Sequence, residues 1–246
     1  MADIMQTRAP SLLMVFAFVF VTTATAQVPD HSTRVVAGGV ALIVPAINGF
    51  RFPNERERGV YALVAPFILP KNRLLAVLLT DGDLRLFADG RDPGLDDYFV
   101  LQIAHSIEDR AVTLGEFQPL RRGIRELQES AQIRVSPTVK RQLAEASKQT
   151  SDRAGVKITI SITDPIPLGI FEDTERSIGV TFLSRVRAEA HEVRTEDLML
   201  SASVTTVVRG KLLYLNGACT FHSMIDLSRC NSQVNAWLSA LHAANP

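Results

Sequence analysis

Two strand-like runs that meet at a short turn give the clearest structural signal in this chain: LSASVTTVV (residues 200–208), RG (209–210) and KLLYLNGACTF (211–221). Alternate residues of the first run share one face, which is the period of a strand buried on one side. Those residues are Leu200, Ala202, Val204, Thr206 and Val208. A two-residue turn containing glycine joins antiparallel strands, so the sequence predicts a β-hairpin.

An amphipathic helix is predicted to follow the hairpin and close the chain. Its apolar positions recur three and four residues apart, which places them on one helical face. These positions are Val234, Trp237, Leu238 and Leu241. Strands that meet through short turns favour an antiparallel sheet, and helices interspersed with them must cover its faces. The expected fold class is therefore α+β, an antiparallel β-sheet flanked by helices.

Other segments are assigned by the same periodicities. Further strands are predicted at 40–44, 59–65, 73–79, 98–104, 158–162 and 178–183. A short helix is predicted at 81–88. A second helix is predicted to follow the capping box Thr113 to Glu116, with one apolar face formed by Phe117, Leu120, Ile124 and Leu127. A third is predicted from Ser136-Pro137 to Gly155. The polar helix 138–153 is expected at the surface, 164–169 as a rigid connection, and 185–197 as a charged strand end or loop.

The first 26 residues have the pattern of an export signal. The apolar run from Leu12 to Val21 is too short to span a bilayer, which takes about 20 residues. It ends in a small-residue segment that suits signal peptidase, so cleavage is expected between Ala26 and Gln27. The expected location is periplasmic or secreted, with no stable membrane insertion after cleavage. An uncleaved segment that tethers an envelope protein is the alternative.

Composition limits the classes of partner. The chain has 26 basic and 26 acidic residues, so it lacks the general attraction of a basic protein for nucleic acid. Arginine is common and lysine rare, which we attribute to codon bias in a GC-rich bacterium. Residues 27–246 suit a single domain. Within it we expect an N-terminal half (33–130), a connecting helix (136–155) and a C-terminal half (156–246).

The C-terminal block resembles the end of a PsbP/Mog1-like domain of the bacterial DcrB type. The likeness rests on residues 207–215, a polar turn from Ser223 to Asp226, then Trp237 in the last helix. Residues 44–50 and 166–171 are similar to that group's first strand and to a segment of uncharacterised exported relatives. The resemblance implies an αβα sandwich and a binding or accessory role. It implies no reaction.

Cys219 and Cys230 are the two cysteines of the chain. Two cysteines in one exported chain usually pair, and a disulfide here would pin the last helix to the sheet. Closing a loop of about a dozen residues stabilises a fold by roughly 3 kcal/mol. The alternatives are free thiols, or a metal site formed with His222 and Asp226.

No catalytic, cofactor-binding or metal-ligating residue is assigned. His222, Ser223 and Asp226 lack the sequence context of a serine nucleophile, and helix capping explains Ser223, Asp226 or Ser228 better. The acidic cluster Asp89, Asp92, Asp96 and Asp97 lacks calcium-loop spacing. The basic stretch 121–125 is expected to be a solvated helix face.

The leading expectation is an exported binding or accessory protein without a cofactor, whose partner is an unknown protein or small molecule. A hydrolase-type enzyme with an unrecognised site is the alternative, using either His105, Glu108 and Asp109 or the region from Cys219 to Asp226. Exposed aromatic residues such as Phe67, Tyr98 or Phe171 would favour protein binding. A deep polar pocket with perturbed acids or histidines would favour an enzyme.

Overall fold

The computed structural model describes residues 32–91, 93–129, 134–190 and 193–246. The strands are β1 Ser32–Ala37, β2 Val40–Pro45, β3 Phe50–Arg51, β4 Asn72–Thr80, β5 Asp97–Ala104, β6 Ile158–Ile162, β7 Ile166–Asp173, β8 Ser177–Ala190, β9 Val193–Val208 and β10 Lys211–Thr220. The α-helices are α1 Tyr61–Val64, α2 Asp81–Ala88, α3 Leu114–Glu129, α4 Pro137–Ala154 and α5 Met224–Ala244. The fold class is α+β, as the sequence predicts.

Eight antiparallel strands form the main sheet, in the order β3-β4-β5-β10-β9-β8. Beyond β8, its far edge is shared by β7 along Ile178–Leu183 and by β6 along Val186–Ala190. Strands β1 and β2 make a separate hairpin. The chain thus contributes both its N-terminal and its C-terminal half to one continuous sheet.

The predicted β9–β10 hairpin is confirmed and lies at the centre of the sheet. Its turn consists of Arg209 and Gly210, both with positive φ, at 47° and 73°. That backbone matches the twist of a tight two-residue hairpin, and glycine adopts it without steric cost. Register across the hairpin runs without interruption from Lys211 opposite Val208 to Thr220 opposite Met199.

Helix α5 covers one face of the central strands. Trp237 is fully buried there, its ring meets Phe99 edge-on, and its Nε1 donates to the Pro45 carbonyl at 2.9 Å. Gly217 of β10 permits this packing, because a Cβ at that position would come within 2.7 Å of both Phe99 and Val234. Burial of these large apolar groups holds the helix, the sheet and β2 together.

Helices α1 to α4 lie on the other face. Val60, Val64 and Leu84 pack on β4 at one side of the sheet, while Phe117 of α3 packs against the β8–β10 region. Helix α4 contacts edge strand β6 and, at the opposite side of the face, the 3₁₀ turn Ala65–Phe67. It therefore spans the middle of this face.

Two segment predictions are wrong, and a third is resolved between its alternatives. Residues 59–65 are not a strand: they belong to the 3₁₀ helix Glu55–Val60, helix α1 and the turn that follows, because Asn54 and Glu57 form a capping box that starts helical structure. The connection predicted at 164–169 is already strand β7 from Ile166. Of the two alternatives for residues 185–197, the strand end is the one observed, because β8 continues to Ala190 and β9 begins at Val193.

Helix α3 follows its predicted capping box, since the Glu116 amide donates to Thr113 Oγ1 at 3.2 Å and the Thr113 amide donates back to the Glu116 carboxylate at 2.8 Å. Its apolar face is only partly buried. Phe117 is buried, whereas Leu120 and Leu127 are 39% and 49% exposed. Helix α4 has the predicted Ser136 cap and ends at Gly155 with φ 68°.

Candidate functional site

A cleft lies between helix α4 and the sheet face opposite α5. It consists of two adjoining cavities of about 700 Å³ each, within the usual size range of ligand pockets. We name them the inner cavity, towards the start of β4, and the outer cavity, towards β6 and the start of α5. The two cavities share five lining residues: Val64, Phe67, Tyr98, Ser201 and Ala218.

Strand register explains why the inner cavity has a polar floor. One row of paired residues crosses the sheet from β4 through β5, β10 and β9 to β8. In that order, its members are Val77, Val100, Asn216, Ser203 and Val180. The row is apolar at its ends and polar in the middle. A neighbouring row repeats the pattern, with apolar Leu74 and Ile178 at its ends. Between those ends lie Gln102, Tyr214 and Thr205. Polarity is thus concentrated on the central strands, where a covered sheet is normally most apolar.

We call five of these residues the polar floor: Gln102, Ser201, Ser203, Tyr214 and Asn216. Gln102 is only 8% exposed, and its carboxamide oxygen accepts from Asn72 Nδ2 at 3.0 Å. Among the described residues, the Gln102 amide nitrogen and the other four floor side chains have no hydrogen-bond partner. The fully enclosed polar atoms without a partner belong, among the described residues, to Gln128, Gln233 and Asn235, so the floor groups stay open to bonding by water or by a ligand.

The outer cavity has a different lining. Its wall beneath α4 is aliphatic, supplied by the helix, by β6 and β8, and by the start of β9. The residues are Leu143, Ile160, Ile162, Val186, Ala188 and Met199. Phe67 adds an aromatic side chain that is 39% exposed. An apolar group would be removed from water along this wall.

Serine hydroxyls attach α4 to the sheet. The amides of Ile160 and Ile158 on the outer edge of β6 donate to Ser147 Oγ at 2.8 Å and Ser151 Oγ at 2.7 Å. The two serines are one helical turn apart, so they face the same strand. Helix α4 is therefore not merely a solvated surface helix, because it roofs the cleft and bonds to the sheet edge.

Charged groups line the outer cavity, where Asp96, Asp97, Asp197 and Arg229 are among the lining residues. Arg229 of α5 forms an ion pair with Asp97 of β5 beside the outer cavity, and this pairing raises the pKa of the guanidinium. Lys71 lines the inner cavity from an exposed position. Within the part of the chain that the structure describes, no charged side chain belongs to the polar floor.

The two tyrosines of the cleft stay protonated. Burial raises the pKa of Tyr98 and of Tyr214 above the usual value of 10. Their hydroxyls are therefore neutral at physiological pH and can both donate and accept a hydrogen bond. They suit recognition of a neutral polar group better than proton transfer.

Cys219 and Cys230 form a disulfide, as the sequence predicts. Both cysteines are fully buried on the α5 face, opposite the cleft. The bond joins the end of β10 to the first turns of α5. The metal-site alternative fails here because both sulfurs are used in the bond. The predicted cleavage point at Ala26 and Gln27 lies outside the described residues.

His222, Ser223 and Asp226 begin helix α5. The Asp226 carboxylate accepts from the backbone amides of His222 at 3.0 Å and Ser223 at 2.9 Å, and these bonds lower its pKa. This is the capping role that the sequence favours. The carboxylate serves the backbone and does not orient the histidine ring as in a hydrolase triad.

The second group considered for catalysis is also engaged structurally. Glu108 forms an ion pair with Arg73, which lowers the carboxyl pKa, and it accepts from the Gly38 amide at 3.3 Å. It thus ties the β1–β2 hairpin to β4. His105 and Asp109 are exposed. Arg121 and Arg125 of the basic stretch both pair with Asp173, so that face is partly neutralised.

The described residues, 32–91, 93–129, 134–190 and 193–246, offer neither grouped metal ligands nor a membrane-spanning helix. Within those ranges no cluster of three or more His, Cys, Asp or Glu side chains is placed to hold a metal ion. Asp92 of the acidic cluster lies outside them. No described helix combines the length and apolar character needed to cross a membrane.

The polar floor was not recognised from sequence, although its signal is visible. Ser201, Ser203 and Asn216 alternate with buried apolar residues, a pattern that ordinarily indicates a solvent-facing strand surface. Only the presence of α4 above them makes this surface the floor of a cleft. No protein-family model matches the chain, and no curated protein matches its sequence.

Proposed function

We propose that this chain is an exported bacterial binding protein that holds a small molecule in the cleft beneath α4. One observation carries the proposal: the central strands present unpartnered polar side chains to a cavity, under a helix, where a structural core would be apolar. A site with apolar walls and a few convergent polar groups is the usual form of a small-molecule pocket.

Export is supported by two features. The N-terminal 26 residues have the pattern of a cleavable signal, and the buried Cys219–Cys230 bond suits an oxidising compartment such as the periplasm or the extracellular medium. Membership of the PsbP/Mog1-like group is also part of this proposal, and it rests on the sequence resemblance of residues 207–215 and of the last helix. N-terminal sequencing of the protein recovered outside the cytoplasm should begin at Gln27; retention of residues 1–26 would contradict cleavage.

Binding is tested by filling the cleft. Ala218 lines both cavities, so Ala218→Trp places an indole where they join. Ala236→Trp, on the exposed surface of α5, is the matched control. We expect N-phenyl-1-naphthylamine, a neutral apolar fluorophore, to bind the unmodified protein saturably. Its affinity should fall at least about tenfold in Ala218→Trp and stay unchanged in Ala236→Trp.

The unfolding midpoint of each variant, followed by circular dichroism, verifies that it is folded. Absence of saturable binding to the unmodified protein would contradict the proposal. Equal affinity in both tryptophan variants would also contradict it, because the fluorophore would then occupy another surface.

A further inference from the structure

The two cavities of the cleft offer different chemistry to one ligand. The inner cavity presents uncharged amides and hydroxyls on its floor, whereas the outer cavity has an aliphatic wall beneath α4 and also the carboxylates of Asp96, Asp97 and Asp197. Because Tyr98 and Ala218 line both, the polar and apolar parts are continuous. A molecule that extends through the cleft can therefore place a polar group on the floor and an apolar group along the aliphatic wall.

The polar floor selects against a charged group. Transfer of an ion into a cavity is costly unless a counter-charge or several strong hydrogen bonds compensate for the lost hydration. The described floor residues carry no charge. Of the nearest basic side chains, Lys71 is exposed at the margin and Arg229 is already paired with Asp97.

Neutral hydroxyl groups match the floor. Serine and tyrosine hydroxyls both donate and accept, and a carboxamide offers separate donor and acceptor atoms. A ligand hydroxyl has the same dual capacity, so several can be satisfied at once by Ser203, Tyr214 and Asn216. The Gln102 amide, whose oxygen is held by Asn72, supplies a donor in a fixed orientation.

We propose that the cleft binds a neutral amphiphile, with an uncharged hydroxyl-bearing head on the polar floor and an aliphatic chain along the outer cavity. This inference rests on the proposed function of the cleft. A sugar glycoside and a glycerol ester share this head-group chemistry, and separate probes distinguish them.

The test compares probes with the same alkyl chain. Octyl glucoside and monooctanoylglycerol carry neutral hydroxyl heads, octanoate is an anion and octyltrimethylammonium is a cation. Each is titrated below its micelle concentration against bound N-phenyl-1-naphthylamine. We expect at least one neutral probe to bind about tenfold or more tightly than both ions, since an ion would lose hydration without compensation. Tighter binding of octyl glucoside would indicate a sugar glycoside as the ligand, and tighter binding of monooctanoylglycerol would indicate a glycerol ester.

Two floor variants locate the head. Asn216→Leu and Ser203→Val remove hydrogen-bonding groups, and each should lower the ratio of the affinity for the preferred neutral probe to the affinity for octanoate about tenfold. Ser232→Val, on the exposed surface of α5, is the matched control for the serine change. An unfolding midpoint close to that of the unmodified protein, followed by circular dichroism, verifies that each variant is folded.

The outcomes separate the two proposals. If octanoate or the ammonium probe binds as tightly as the neutral ones, the head-group inference is overturned while the binding function stands. The same holds if the neutral preference persists unchanged in Asn216→Leu and Ser203→Val. If the fluorophore itself does not bind the unmodified protein, the proposed function fails first.

Discussion

Strands β5, β10 and β9 present two very different faces. Towards α5, a row reads Leu101, Leu215 and Val204, all buried. One residue along, the row towards α4 contains Asn216 and Ser203, half-buried around a cavity. Successive residues of a strand point to opposite faces, so a single hairpin builds both surfaces. One face is a packed core and the other is the floor of a cleft.

The difference separates stability from recognition. On the α5 face, Phe99 and Trp237 fill space, and the Cys219–Cys230 bond adds a covalent tie. On the α4 face, the roof is held at the sheet edge by serine hydroxyls and leaves space beneath it. We therefore expect substitutions on the first face to change the free energy of unfolding, and those on the second to change binding.

The largest contrast is expected between Trp237→Ala and Asn216→Ala. Removal of the fully buried indole should lower the free energy of unfolding by about 3–5 kcal/mol, because it leaves a cavity and an unpaired Pro45 carbonyl. Truncation of Asn216 should cost no more than about 1 kcal/mol, since its side chain has no described partner to lose. Urea unfolding measures both, and similar losses would break the contrast between the faces.

Reduction of the disulfide should have the next largest effect. Loss of the Cys219–Cys230 bond is expected to cost about 3 kcal/mol, because the unfolded chain regains the freedom of the closed loop. Urea unfolding with and without dithiothreitol measures this loss. The double variant Cys219→Ala, Cys230→Ala should be insensitive to the reductant, which serves as the control. A reduced protein as stable as the oxidised one would contradict the expected role of the bond.

Two adjacent residues of β10 give a sharper comparison. Gly217→Ala places a methyl group 2.7 Å from Phe99 and Val234 on the packed face, and should cost about 1–3 kcal/mol. Ala218→Ser, one residue later on the cleft face, should stay within about 0.5 kcal/mol of the unmodified protein. Thermal unfolding of the pair measures the difference. If Gly217→Ala is neutral, α5 is less tightly packed than the structure indicates.

The smallest effect is expected at high pH. Burial raises the pKa of Tyr98 and Tyr214 in the folded protein, so the unfolded chain releases these protons first, near pH 10. Stability from this source is complete below pH 10 and is lost as the pH rises through the folded pKa values. The double variant Tyr98→Phe, Tyr214→Phe should lose less stability between pH 9 and pH 11, measured by urea unfolding. An identical pH dependence would show that these hydroxyls ionise normally in the folded state.

The central hairpin and α5 could be predicted because their signals are local and periodic. Alternation in 200–208 and the three-to-four spacing around Trp237 specify which side chains share a face. The disulfide followed from the number of cysteines and the expected compartment. These features need no knowledge of which strands become neighbours.

Failures occurred where the pattern is ambiguous or the determining contact is distant in sequence. The apolar run from Gly59 to Ala65 is compatible with a strand or with a helix. The capping box of Asn54 and Glu57 favours the helix, but it lies before the run and outside its periodic pattern. The cleft could not be predicted, because it depends on α4 reaching both Phe67 and β6 across the sheet. A polar helix sequence carries no sign of such a position.

The serine contacts of α4 also bear on how the protein avoids self-association. An open sheet edge invites pairing with a second chain, and the exposed amides of β6 would be suitable sites for it. Ser147 and Ser151 occupy the amides of Ile160 and Ile158, as a neighbouring strand would. The roof of the cleft thus also covers this stretch of sheet edge, and lifting it would expose the two amides to pairing with another strand.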